Sequence, residues 1–135
     1  MTARGRHVIY PLGYNERVIA AKDGDPIPIP EVDPVEALRL TSKSAILLDV
    51  REDDEWSAGH APGAVHRALG SLDASAYDPA VPVVAVCRSG KRSAVAAGQL
   101  AAAGITVYNL AGGMQAWLAA GQPVIRDDAS AGTVI

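Results

Sequence analysis

Continuous apolar runs, rather than alternating ones, set the pattern of this chain. Ala45-Ile46-Leu47-Leu48 leads to Asp49-Val50, and Val81 to Val86 carries no charged residue. Runs of this length without polar alternation predict strands buried on both faces, as in a parallel sheet. Ile105 to Tyr108 predicts a further short strand, and Ala64-Val65-His66 another. Helical signals fall between them. Asp33 can cap a helix that has Pro34 at its first position and Glu36 at its third. That helix carries Val35, Leu38 and Leu40 and ends before Lys43. Glu52 to Trp56 predicts a short helix with acids in its first turn, where the dipole favours them. Ser93 to Ala103 predicts a helix apolar almost all round, closed by Gly104. Gly112-Gly113 opens a last helix, Met114 to Ala120, stopped by Gly121 and Pro123. Gly59 to Gly63 reads as a compact turn, and residues 69 to 80 as irregular or weakly helical. Strands alternating with helices predict an α/β domain whose mostly parallel sheet is covered on both faces.

The two ends of the chain are less regular. His7 to Tyr10 and Arg17 to Ala21 each suit a short strand, and Lys22-Asp-Gly-Asp25 is a turn signal. These residues form either a small antiparallel addition to the sheet or a loosely ordered arm. Pro26-Ile-Pro-Ile-Pro30 must be extended. If it is a strand, its prolines place it at a sheet edge. The stretch from Arg126 to Ile135 reads as frayed. The expected organisation is an extension over 1–26, a domain over 27–124 and a flexible tail over 125–135.

Composition sets broad limits. The 135 residues are 49% hydrophobic and 20% charged, which suits one ordinary globular domain. A net charge of -3 argues against a broad nucleic-acid-binding surface. No apolar run approaches membrane-spanning length, and no apolar stretch follows the N-terminal arginines. The expected location is cytoplasmic, with neither nucleic acid nor membrane as a partner. The single cysteine rules out an intramolecular disulfide.

That cysteine carries the chemistry. In open α/β sheets, sites form beyond the carboxyl ends of the strands. Cys87 stands at such an end, followed by Arg88, Ser89, Gly90, Lys91, Arg92 and Ser93. Turning amides there can gather an anion, and the following helix adds unpaired N–H groups. Three cations lie within five residues. Such surroundings lower a thiol's pKa and favour a nucleophilic thiolate. The competing view is an inert buried thiol. A phosphate-binding loop is a weaker competitor, because the P-loop glycine–lysine pattern is missing. Asp49 and Arg51, at the end of the neighbouring run, are either a surface pair or residues that brace the loop or line the site. His60 and His66 share no metal-ligand spacing, and no metal is expected.

Four stretches, taken together, identify a resemblance: Leu47-Leu-Asp-Val-Arg-Glu52, Glu55-Trp-Ser-Ala-Gly-His-Ala-Pro-Gly-Ala64, Val86-Cys-Arg-Ser-Gly-Lys-Arg-Ser93, and Leu110-Ala-Gly-Gly-Met-Gln-Ala-Trp117 with Ala120-Gly-Gln-Pro-Val124. In that order they resemble a single-domain rhodanese, of the thiosulfate sulfurtransferase-like family. The resemblance implies a five-stranded parallel sheet with helices on both faces. It implies that Cys87 accepts a sulfane sulfur as a persulfide and passes it on. Residues 88 to 92 resemble the loop whose amides hold that persulfide, and Ser93 the start of the next helix. Arg88 and Arg92 would attract a small anionic donor such as thiosulfate. Asp49 and Arg51 take a supporting role, and no cofactor is implied.

Four residues separate Cys87 from Arg92. The family's sulfur-transferring members share that spacing, whereas the related phosphatases use a longer loop. The chain departs from the family pattern at Ala61, where an isoleucine is usual, and at Val65 to Leu69, which lacks the usual Asn and Pro. The leading expectation is sulfur transfer to a thiol or cyanide acceptor. The alternatives are a relay that takes its sulfur from a partner protein's persulfide, and a non-catalytic sensing or binding module.

Overall fold

Val- and Leu-rich runs pair side by side here because both of their faces are covered. The computed structural model describes residues 15–20 and 26–135. Its strands are β1 (Asn15–Ala20), β2 (Pro26–Val32), β3 (Ile46–Asp49), β4 (Val65–His66), β5 (Val83–Val86) and β6 (Val107–Leu110). They form one sheet in the order β1-β2-β6-β5-β3-β4. Every pairing from β2 to β4 is parallel, and β1 is antiparallel to β2. The expected five-stranded parallel sheet is present, with β1 added outside it. Of the two arrangements open for the first residues, Asn15–Ala20 takes the antiparallel one. The expected His7–Tyr10 strand and Asp23-Gly24 turn lie outside the described residues.

The proline-rich segment is not an edge strand, as its composition suggests, but the second strand. Pro26, Pro28 and Pro30 stand opposite Ala20, Val18 and Glu16. Alternate residues of a strand direct their main-chain groups to the same side. Ile27, Ile29 and Glu31 are therefore left to carry the ladder with β1. Only Glu31 and Val32 meet β6.

The helices are α1 (Pro34–Lys43), α2 (Asp53–Ala58), α3 (Lys91–Ala102) and α4 (Gly113–Ala119). Asp33 caps α1, accepting the Glu36 N–H at 2.8 Å. Contrary to the apolar pattern, Val35 and Leu38 face outward, 68% and 37% exposed. Pro34, Glu36 and Ala37 are the helix's buried residues, and Ala37 packs on the sheet with Leu40 partly buried against the same core. Glu36 holds Arg39 through Nε at 2.9 Å.

Two differences fix where the site sits. α3 begins at Lys91, not Ser93, because Gly90 turns the chain at φ +108°. It is also one-sided: Ser93, Ala96, Ala97 and Leu100 are buried, while Val95 is half exposed. β6 begins at Val107, not Ile105, because the Ile105 N–H is used to close α3 on Leu100 O at 3.1 Å.

The sheet separates two cores. Leu48, Val50, Val83, Ala85 and Cys87 pack with Ala96, Ala97 and Leu100 of α3. Leu47, Val84, Val86 and Leu110 pack with Ala37 of α1 and with Met114 and Trp117 of α4. Successive strand residues point to opposite faces, so the β5 alternation directs Cys87 toward α3. Each buried Val or Leu contributes about 1.5–3 kcal/mol.

The last residues, which read as frayed, fold back on the Ala58–His60 turn. His60 and Ile125 exchange main-chain bonds at 2.8 and 2.9 Å, and Thr133 N–H donates to Ala58 O at 2.9 Å. Gly59 permits this approach, since a Cβ there would meet Thr133 O at 2.5 Å. Among the described residues, no helix is long and apolar enough to cross a membrane.

Candidate active site

β5 ends at Val86, and the next residue is the thiol. Cys87 is 1% exposed, at the floor of the turn into α3. The Gly90 N–H donates to its Sγ at 3.1 Å. The Ser93 hydroxyl lies 3.4 Å from the same sulfur. Burial pushes the thiol pKa up. The Ser93 hydroxyl and the amides of Ser93, Gly90 and Ser89 pull it down, and together they win. Of the loop amides, helix N–H groups and cations expected to lower the thiol's pKa, the amides do so here, joined by the Ser93 hydroxyl.

The loop is held from below by α4. Met114 N–H donates to Cys87 O at 2.7 Å, and Gln115 N–H to Arg88 O at 3.1 Å. Gly113, at φ +59°, makes that approach possible. A Cβ there would collide with Cys87 O and stand 2.5 Å from Arg88 O. From the side, Asn109 of β6 donates to Gly90 O at 3.1 Å and to Glu31 Oε2 at 3.1 Å. Its Oδ1 accepts the Ser93 hydroxyl at 2.6 Å.

Asp49 and Arg51 are a buried pair, which removes the surface alternative. Both residues are 0% exposed. Arg51 Nε donates to Asp49 Oδ1 at 2.9 Å, and Nη2 to Oδ2 at 2.7 Å. Nη2 also donates to Gly59 O at 2.8 Å, tying the end of β3 to the Gly59 turn. Neighbouring Val50 N–H donates to Val86 O at 2.9 Å, one residue before the thiol.

The expected loop residues divide into three groups. Cys87, Gly90 and Ser93 converge on the sulfur, and Ser89 contributes its amide. Arg88 and Lys91 are exposed beside them. Arg92 is committed elsewhere: Nη1 and Nη2 hold the two oxygens of Glu55 at 2.7 and 2.9 Å. That hydrogen bonding is the leading cause that draws the Glu55 carboxyl down to about 2 and raises Arg92.

Sequence reasoning missed Asn109, Glu31, Glu55 and the α4 amides. A polar Asn in an otherwise apolar strand was the available signal for Asn109. His60 and His66 have packing roles. His60 stacks on Trp56 with centroids 3.6 Å apart, and His66 lies 4.9 Å from the same indole. His66 Nε2 also bonds Arg51 O at 2.7 Å, which places the divergent Val65–Leu69 segment against the Arg51 turn. Among the described residues, no group of His, Cys, Asp and Glu could hold a metal ion.

Comparison with known proteins gives the same picture. The family model of the rhodanese-like domain matches residues 33–120. Thiosulfate sulfurtransferase GlpE of Pseudomonas entomophila is 32% identical over 90 residues, 64% of this chain and 82% of that protein. The thiosulfate sulfurtransferase of Pseudomonas aeruginosa superposes with a TM-score of 0.66 at 26% identity, over 79% of this chain and 22% of that one. A rhodanese-related protein of Thermoplasma volcanium gives 0.65 at 25% identity, over 70% of this chain and 96% of its own.

Proposed function

The chain belongs to the rhodanese-like domain family, and on that premise we propose that it transfers sulfane sulfur through a persulfide on Cys87. One observation carries this proposal. The Cys87 sulfur sits within reach of the Gly90 amide and the Ser93 hydroxyl, in a turn whose donors favour its anionic form.

The steps follow from that geometry. The Cys87 thiolate attacks the outer sulfur of thiosulfate. The S–S bond of the donor breaks, and sulfite leaves with its electron pair. Cys87 is left as a persulfide anion. Donors already aimed at the sulfur need little reorganisation to receive this charge. Cyanide or a thiolate then attacks the terminal sulfur. Thiocyanate or a new persulfide departs, and the Cys87 thiolate returns.

Exposed Arg88 and Lys91 beside the thiol suit an anionic donor. The near-complete burial of Cys87 suits a donor that offers a terminal sulfur on a narrow end. Thiosulfate has that shape. Steady-state thiocyanate formation with thiosulfate and with mercaptopyruvate tests the proposal. Thiosulfate should be the better donor, and Cys87→Ser should be inactive. No thiocyanate from either donor would refute it.

A further inference from the structure

Ser93 has one hydroxyl hydrogen and two acceptors for it. Asn109 Oδ1 lies 2.6 Å from the oxygen, and Cys87 Sγ lies 3.4 Å from it. The Asn109 amide cannot turn over to relieve this competition. Its two N–H bonds are directed at Glu31 Oε2 and Gly90 O, a carboxylate and a carbonyl. Neither could donate to an amide oxygen placed there. Asn109 Oδ1 must therefore face Ser93. All three members, Cys87, Ser93 and Asn109, are at most 1% exposed, so water does not substitute for a missing partner cheaply.

We propose that Asn109 is a positioning residue that competes with Cys87 for the single Ser93 hydroxyl proton and so sets how readily the sulfur carries negative charge. The proposal rests on the role given above to Cys87. In the resting thiol, S–H donates to Ser93 Oγ and the Ser93 O–H donates to Asn109 Oδ1. When the sulfur becomes a thiolate or a persulfide anion, the hydroxyl turns to it and Asn109 Oδ1 loses its donor. Ser93 thus responds to the charge state of the sulfur, and Asn109 supplies the opposing pull.

Other charges face this loop. Arg88, Lys91 and Arg92 lie on the loop and the first turn of α3. Glu55 of α2 holds Arg92, Asp49 and Arg51 close the end of β3, and Glu31 of β2 lies behind Asn109. Their fields act on the sulfur whether or not Ser93 has a hydroxyl. Asn109 also steadies Gly90, whose N–H meets the sulfur, and that contact acts in either background; only the competition for the hydroxyl proton needs the Ser93 hydroxyl, which separates the two.

The test is the pH profile of Cys87 alkylation by iodoacetamide in the full chain, with Asn109→Leu, Ser93→Ala and the double variant. Asn109→Leu frees the hydroxyl for the sulfur. The profile should move to lower pH, with alkylation at neutral pH roughly three- to tenfold faster. Ser93→Ala should move it to higher pH, and in that background Asn109→Leu should produce no downward shift. A shift to higher pH in Asn109→Leu, or the same shift in both backgrounds, would overturn the proposal. A second measurement holds even if Asn109→Leu does not fold. At low pH the wild-type S–H infrared stretch should be lower in frequency than that of Ser93→Ala, and equal frequencies would overturn the proposal. Neither readout requires sulfur transfer. Failed thiocyanate formation with the expected pH profiles would sink the proposed activity alone.

Discussion

The guanidinium of Arg92 holds both carboxylate oxygens of Glu55, at 2.7 and 2.9 Å, and so ties the first turn of α3 to α2. The Glu55 carboxyl is held at about 2, below its ordinary 4.5, foremost by the hydrogen bonds from Arg92. The unfolded chain therefore binds the proton more readily than the folded one. The pair's contribution is complete above about pH 4.5 and is lost as the pH falls through about 2. Glu55→Gln should destabilise the protein by about 1–2 kcal/mol at neutral pH. In urea unfolding, the variant should lack part of the wild-type loss of stability between those two pH values.

The Asp49–Arg51 pair is fully buried, so removing one partner strands a charge in the interior. Such a change costs about 3–5 kcal/mol. Asp49→Asn should therefore lower the midpoint of chemical unfolding much more than Glu55→Gln does. Cys87 should remain alkylatable in whatever fraction stays folded.

Gly113→Ala places a methyl group against the carbonyls of Cys87 and Arg88 at a positive φ. The expected destabilisation is about 2–4 kcal/mol. The bonds from Met114 and Gln115 to those carbonyls set the height of the loop. Sulfur transfer in the folded variant should therefore drop at least tenfold in kcat/KM, a loss of about 1.4 kcal/mol in transition-state stabilisation.

The strand runs and the loop chemistry were legible because they are local. Val83 to Val86 announces a buried strand by its unbroken apolar character, and Cys87 by its place at the end of it. The partners of the site were not legible, because register and helix phase decide them. Arg92 finds Glu55 across 37 residues of sequence. Asn109 reaches Ser93 because its register opposite Ala85 turns it to the α3 face of the sheet. The lowering of the Cys87 pKa illustrates the difference. The sequence displays a turn whose amides and cations surround the thiol, whereas which donors meet the sulfur, the Ser93 hydroxyl among them, depends on the φ of Gly90 and the early start of α3. Val35 and Leu38 were misleading for a related reason. Both are apolar, but the phase of α1 turns Ala37 and Leu40 to the core instead.

Arg88 and Lys91 are the exposed cations beside the thiol, with Arg92 held by Glu55. Exposed charges act at long range and are screened by salt. Lys91→Ala should raise KM for thiosulfate about two- to fivefold with little change in kcat. Raising the ionic strength should increase KM in the wild type and narrow the gap between the two proteins.

The central claim is that Cys87 carries the transferred sulfur, and intact-protein mass spectrometry tests it most directly. After exposure to thiosulfate, the chain should gain the mass of one sulfur atom, located at Cys87 and removed by cyanide as thiocyanate. A chain whose Cys87 gains no sulfur under these conditions would contradict the account.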